Sequence, residues 1–483
     1  MSFSIQQKTA TLALGLLLAA SANAGQTPGH ASAPDMPISS HDRLYLSDQT
    51  SNTVSVVDPA TEKLLGVIRL GDPTPGNLSP LYRGQLLVHG MGFSPDHRTL
   101  VVVSVGSNSV AFIDTQTNRV KHIAYVGRAP HEAFFTPDGK EVWVTVRGED
   151  FVQVLDGKTY RPTRRIEVPN GPGMTIFSPD GKYGYVCASF TPETVVIDTK
   201  SHQIVGRVKQ ASPFCPDIAA TPDGKQVWFT LKDVGKVQVF NAKPPFATIA
   251  VLDTGPITNH VNFVRNANGQ FAYVTVGGLN EVKVFTTTAP PEFVATIPTG
   301  DLPHGLWPSG DGTRIYVGLE NADAVTAIDT RSNNVVATIG TGQSPQGMLY
   351  IPNAVPRGDG TENLSPIGAS GEAVHLTLVS VGTGKAQTTV AVDNQGLIDL
   401  LEAAVTGLEA QRPYLLALVN NVDGAGAVEP LAEFMTNPAG AAIVLTVGPL
   451  RKTVQGNEGS PRRYLVIVPL NAHQPGAPVQ VQR

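Results

Sequence analysis

Through the middle of the chain, short runs of β-branched and aromatic residues alternate with polar turns, and the alternation itself repeats. One turn signature recurs as Ser94-Pro95-Asp96, Thr136-Pro137-Asp138-Gly139, Ser178-Pro179-Asp180-Gly181, Thr221-Pro222-Asp223-Gly224, Asn266-Ala267-Asn268-Gly269 and Ser309-Gly310-Asp311-Gly312. Successive turns are 42, 42, 43, 45 and 43 residues apart. Each is followed by a strand-length apolar run, at 100–104, 142–146, 185–188, 227–231, 272–276 and 315–319. Proline presets such a turn and glycine tolerates positive φ, so each pair of runs reads as a β-hairpin. A third run ends in Asp58, Asp114, Asp156, Asp198 or Asp329, and a fourth follows, as at 164–168 and 335–339. Four strands in about 42 residues is the unit of a propeller blade.

The count closes at seven. Residues 43–47 form a strand of the second kind with no first strand before it, and 346–352 form a first strand with no second strand after it. Together they predict a closing blade built from both ends of the ring, which leaves a cyclic array without free edges. The segment 72–88 lengthens the step between the first two blades, as a loop shaping a binding mouth would.

The sequences Arg43-Leu44-Tyr45-Leu46-Ser47, Asn52-Thr53-Val54-Ser55-Val56-Val57-Asp58 and Ala272-Tyr273-Val274-Thr275-Val276 resemble the YVTN family of β-propeller repeats, over residues 43–352. The resemblance implies an all-β, seven-bladed propeller. It does not select a function, because propellers of this kind host binding proteins, lactonases and haem or quinone enzymes.

After the ring, 353–372 is rich in proline, glycine and serine and predicts a linker. Strand-like runs then resume at 374–381, 388–392, 414–419, 442–447 and 464–469, which predict a small β-sandwich-like domain over 373–470. The stretch 397–408 has a composition compatible with helix. Leu408 and Tyr414 are spaced as in a tyrosine corner, whose hydroxyl bonds nearby backbone. The tail 471–483 is expected to be loose.

Composition narrows the function classes. Charged residues make up 16% of the 483-residue chain, against 48 Gly and 38 Pro, which suits turns and strands. A formal charge of −5 with no Lys/Arg run gives no reason to expect a nucleic-acid partner. Lys8, the apolar run 9–22 and Ala22-Asn23-Ala24 predict a signal peptide over 1–24, with 25–42 as an N-terminal linker. The expected location is therefore extracytoplasmic, periplasmic or secreted, with no membrane span in the mature chain. There is no Cys-x-x-Cys-His for covalent haem, no dinucleotide fingerprint for NAD, no P-loop and no Gly-x-Ser-x-Gly elbow.

Candidate chemistry comes from following the repeat register. Five positions before each turn stand His89, His131, Gly173, Pro216 and His304; Gln346 is equivalent, and so is His260 once a one-residue slip is allowed. Four of the eleven histidines thus fall on one ring at one mouth of the channel, in pairs on adjacent blades, with Glu132, Cys215 and Asp217 in the same loops. Neutral imidazoles converging there are suited to a transition metal or to general-base work. The same positions also suit a structural role, each His bonding the backbone of the next blade. Arg147, just after a second strand, either faces the mouth and pairs an anion or lies on the surface beside Glu149 and Asp150. Cys187 and Cys215 sit on neighbouring blades, within possible reach of a disulfide. The expected function is a binding or scaffold protein with a small-molecule or protein partner at the His-lined mouth. The alternative is a metal-dependent lactonase, another hydrolase or an oxidoreductase using the ring.

Overall fold

In the computed structural model, which describes residues 37–71, 86–384, 386–396, 398–456, 461–471 and 474–483, the repeating runs form seven four-stranded antiparallel sheets arranged as a propeller. Blade 1 joins the inner strand Pro345–Ile351 to Arg43–Asp48, Thr53–Asp58 and Lys63–Arg69. Blades 2 to 7 follow in chain order, with inner strands Val88–Phe93, Pro130–Phe135, Pro172–Phe177, Ile218–Ala220, Thr258–Asn266 and Pro303–Pro308. The predicted signal peptide and most of the 72–88 insertion lie outside the described residues. Of that insertion, Leu86 and Leu87 donate backbone N–H bonds to Asn52 Oδ1 at 2.9 and 3.0 Å. No helix among the described residues is long and apolar enough to cross a membrane.

Local chemistry explains the turns. Ser94, Thr136, Ser178, Thr221 and Ser309 each donate a hydroxyl bond to the aspartate two residues on, at 2.5–2.8 Å. Where the sixth blade lacks that aspartate, Asn266 Oδ1 accepts from Asn268 N at 2.8 Å and closes the turn alone. The aspartates ending the third strands accept from backbone amides two or three residues later, as Asp58 does from Ala60 N and Asp198 from Ser201 N.

Blades pack face to face, so inner and second strands are buried along nearly their whole length. The fourth strands are mostly exposed, as at Val120–Tyr125 and Pro162–Glu167. Tyr45, Trp143, Tyr185, Trp228, Tyr273 and Tyr316 occupy one position of the second strand and fill the gaps between blades, each at most 1% exposed. Cys187 and Cys215 are joined by a disulfide across blades 4 and 5, with Cα atoms 6.0 Å apart.

The C-terminal region is a second β-domain, but its described strands make one sheet. The order is Glu429–Met435, Pro413–Val419, Tyr464–Asn471, Gln480–Gln482, Ala373–Ser380, Gln387–Asn394, Asp399–Val405 and Ala442–Gly448. Its two end strands approach each other, giving a nearly closed, barrel-like sheet. A short helix, Leu450–Gln455, buries Leu450 and Val454 in its core. This corrects two expectations at once. The tail is not loose, because Gln480–Gln482 pairs with both Ala373–Ser380 and Tyr464–Asn471. That bridging strand fuses what would otherwise be the two layers of a sandwich. The stretch read as compatible with helix instead supplies the strand Asp399–Val405, paired on both sides. Tyr414 does bond nearby backbone, its hydroxyl accepting from Glu409 N at 3.2 Å.

The linker expected at 353–372 is pinned to the propeller rather than free. Ser365 bridges Val67, Thr115 Oγ1 donates to Ala354 O at 3.0 Å, and Asn118 Nδ2 donates to Gly360 O at 2.9 Å.

Truncation after Asn471 removes the bridging strand. We expect the second domain to lose its cooperative unfolding transition while that of the propeller persists, as read by calorimetry. Two unchanged transitions would show that the tail strand is dispensable.

Candidate functional site

The inner strands crowd around the channel so tightly that side chains at their first positions have one direction to go. A Cβ on Gly305 would lie 2.2 Å from Gln346 O, and one on Gly347 would lie 2.5 Å from His89 O. Hydroxyls on second strands hold the next inner strand at this distance: Thr145 Oγ1 donates to Gly173 O at 2.9 Å, Thr230 to Asn259 O at 2.7 Å and Thr275 to His304 O at 2.7 Å.

The four histidines of the predicted ring converge. His89 and His131 lie 4.2 Å apart between ring centroids, His260 and His304 4.7 Å, and His89 and His304 6.2 Å. His131 Nδ1 and His304 Nδ1 donate to the carbonyls of Gly173 and Gln346 on the next blade, at 2.8 and 3.1 Å. A carbonyl only accepts, so both rings carry their proton on Nδ1 and leave an Nε2 lone pair. The backbone bond and an available ligand atom therefore coexist on the same residue.

Beneath the histidines are two carboxyls. Glu132 Oε1 lies 3.6 Å from His89 Nδ1, and Asp217 Oδ1 lies 3.5 Å from His260 Nδ1. Asp217 Oδ2 accepts from Val261 N at 2.7 Å. Below them Met91, Met174, Ile176, Leu306, Trp307 and Met348 shut the channel to about 30 Å³, space for about one water molecule.

Above the ring the mouth is roofed by the second domain, leaving a cavity of about 660 Å³. Its propeller walls include His89, His131, His304, Gln346, Arg147, Lys232 and Glu320, and its roof includes Glu402, Met435, Asn437 and Leu445. Arg147 faces this cavity with its guanidinium 4.7 Å above Phe214 and 5.9 Å from Phe190. Among the described residues it forms no ion pair with Glu149 or Asp150. Gln346 donates to Glu320 and exchanges 3.0 Å bonds with Gln49.

Lys232, Glu320 and Glu402 were not foreseen, and two of the three had a signal. The residue after each second strand forms a second ring, Gln49, Val105, Arg147, Ser189, Lys232, Gly277 and Glu320, in the same register as Arg147. Glu402 had none, since it arrives from the other domain.

Burial dominates the electrostatics. Desolvation holds His89 and His260 down to about 3, with the Arg147 charge adding to it at His89. His131 and His304 are likewise well below the usual imidazole value. Burial pushes Glu132 and Asp217 well up, and lowers Arg147 to about 10. Burial also raises Glu320 and Glu402, with the Glu320 charge adding to it at Glu402. Burial lowers Lys232. Burial thus favours the uncharged form of imidazole and carboxyl alike around the Arg147 guanidinium.

The sequence profile of a family described as YNCE-like beta-propeller matches residues 9–357. Among solved structures, a functionally unknown protein from Desulfotomaculum acetoxidans DSM 771 is similar at 14% identity and a TM-score of 0.55, covering 64% of this chain and 98% of that one. Kuenenia stuttgartiensis hydrazine synthase is similar at 22% identity and a TM-score of 0.49, covering 54% of this chain and 88% of that one. No curated protein matches in sequence.

The histidine shifts carry a pH dependence. Unfolded, His260 takes up its proton near 6.5; folded, only near 3, so its stabilising contribution is complete above 6.5 and is lost as pH falls toward 3. Between pH 7 and 5 that loss is about 2 kcal/mol. His260→Gln is expected to lose about that much less stability than the parent over the same interval, measured by denaturant unfolding. Equal losses would contradict the assignment.

Proposed function

Because the chain belongs to the YNCE-like beta-propeller family, a fold that by itself assigns no reaction, we propose that it is a binding protein for a small molecule bearing a carboxylate or phosphate group, held between the propeller mouth and the second domain. The observation that carries this reading is the roofed cavity with Arg147 in its wall. Its volume is that of a small-ligand site, and the roof leaves little room for a protein loop. Arg147 presents a planar fork of donors with no ion pair among the described residues, over Phe214 and Phe190, the setting in which a guanidinium pairs an anion bidentately. The neutral histidines and the Glu320–Glu402 pair supply donors and acceptors for the rest of the ligand. The reading includes an extracytoplasmic location, periplasmic or secreted, supported by the signal-like pattern of residues 1–24 and by the Cys187–Cys215 disulfide.

A metal-dependent hydrolase is the second reading, favoured by the approach of His89, His131 and Glu132. Turnover of a lactone or ester panel that is lost on chelation would select it over simple binding.

For the binding reading, a panel of small carboxylates and phosphate esters is screened by thermal shift and hits are measured by calorimetry. At least one compound is expected to bind, and Arg147→Ala is expected to weaken it by about 1.5–3 kcal/mol, tenfold or more. Hits that bind Arg147→Ala as tightly as the parent would remove the proposal.

A further inference from the structure

The ring of four histidines is not one equivalent set. On the side of blades 2 and 3, His89, His131 and Glu132 each offer a ligand atom within 4.8 Å of the other two, and all three are buried. We propose that these three residues form a two-histidine, one-carboxylate site for a divalent transition-metal ion, with its open coordination positions toward the cavity.

Three observations carry it. First, the donor set is two imidazole nitrogens and one carboxylate oxygen, the combination that suits zinc or ferrous ions and leaves positions free for water or ligand. Second, His131 is already oriented as metal-ligating histidines are. Its Nδ1–H is fixed on Gly173 O at 2.8 Å, so Nε2 presents its lone pair. Third, His89 Nδ1 is buried without a hydrogen-bond partner although it lies 3.6 Å from Glu132 Oε1. An orphaned buried nitrogen carries a desolvation cost that a coordinated ion removes.

The groups facing the site include two opponents, Arg147 and Lys232, with Glu320 acting the other way. Arg147 raises the cost of a nearby cation, yet it turns its guanidinium onto Phe214. An ion and Arg147 together favour an anionic ligand in the cavity above them. The metal site does not depend on that ligand, and metal alone tests it.

The pair on the opposite side differs. His260 faces Asp217, and His304 Nε2 lies 4.0 Å from Glu320 Oε2. Among the described residues neither belongs to a close three-ligand group.

The test uses the full chain without a histidine tag, stripped by chelator and titrated with Co²⁺, followed by visible absorption, and with Zn²⁺, followed by calorimetry. One equivalent of each is expected to bind. His89→Ala and Glu132→Gln are each expected to weaken Zn²⁺ by more than about tenfold, while His122→Gln, on an outer strand, leaves it unchanged. Circular dichroism and melting curves establish that each variant is folded. Absence of stoichiometric Co²⁺ in the parent overturns the proposal whatever the variants do, and so does Zn²⁺ affinity unchanged from the parent in folded His89→Ala and Glu132→Gln. Arg147→Ala separates the two readings, since it is expected to keep the metal and lose the anionic ligand.

Discussion

Everything in this molecule hangs on the antiparallel pairing of Pro345–Ile351 with Arg43–Asp48, strands from opposite ends of the ring. Without it, six blades form an open arc whose terminal faces expose apolar surface and unpaired backbone. Side chains reinforce the joint. The Tyr350 hydroxyl donates to Asp42 Oδ2 at 2.5 Å, Asp42 Oδ1 accepts from Asn353 N at 2.7 Å, and the buried Arg43 guanidinium bonds the carbonyls of Ser40, Asp42 and Asp359. Burial and the Asp42 charge both raise the Tyr350 phenol, so it remains a donor. Once the ring closes, the circumference fixes how near the inner strands must come.

That nearness generates the site. Gly305 and Gly347 let one strand lean against its neighbour's carbonyl, while at corresponding steps Glu132 and Asp217 turn carboxyls into the throat. The fold therefore offers two concentric rings of positions, at the start of each inner strand and just after each second strand, where chemistry can change without disturbing the β-ladder. Here the first carries histidines and the second carries Arg147, Lys232 and Glu320. A propeller separates scaffold from site in this way, which is why its repeat announces architecture and not reaction.

The same division governs what was legible in the sequence. Turn spacing disclosed seven blades and the closing pair because each blade repeats the same local chemistry, hydroxyl to aspartate at every Ser/Thr-x-Asp turn. The histidine ring was legible because it keeps the repeat register. The roof was not. Glu402, Met435 and Asn437 meet the mouth only through domain docking, and no period links them to it. The tail misled because Gln480–Gln482 is three residues long and polar; its place in the sheet comes from partners on both sides, with Gln480 and Gln482 each 1% exposed. Reading it as loose also split one barrel-like sheet into two layers. Whether Arg147 pointed inward was undecided by sequence, since Phe190 and Phe214, which hold it, stand 43 and 67 positions away.

Docking of the second domain raises an energetic question, because the seam contains more acid than base. Asp323 pairs with His375 at 3.1 Å, but Asp393 and Glu402 bring further carboxyls, and Asp48 is fully buried beside them. Had these all stayed ionised, desolvation would have cost several kcal/mol each, more than the pairing could return. Burial instead pushes Asp48 up to about 8, with its Oδ2 accepting from Thr53 and Ser55, and raises Glu320 and Glu402 as well. The seam is thus joined by neutral hydrogen bonds, such as Asn321 to Thr389 and Gln395 to Thr50, and by the apolar cluster of Ile257, Leu302, Ala404 and Ala441. A roof held this way leaves two basic residues, Arg147 and Lys232, in the cavity wall, with the Asp233 carboxyl acting on both and bonded to Asn437 of the roof.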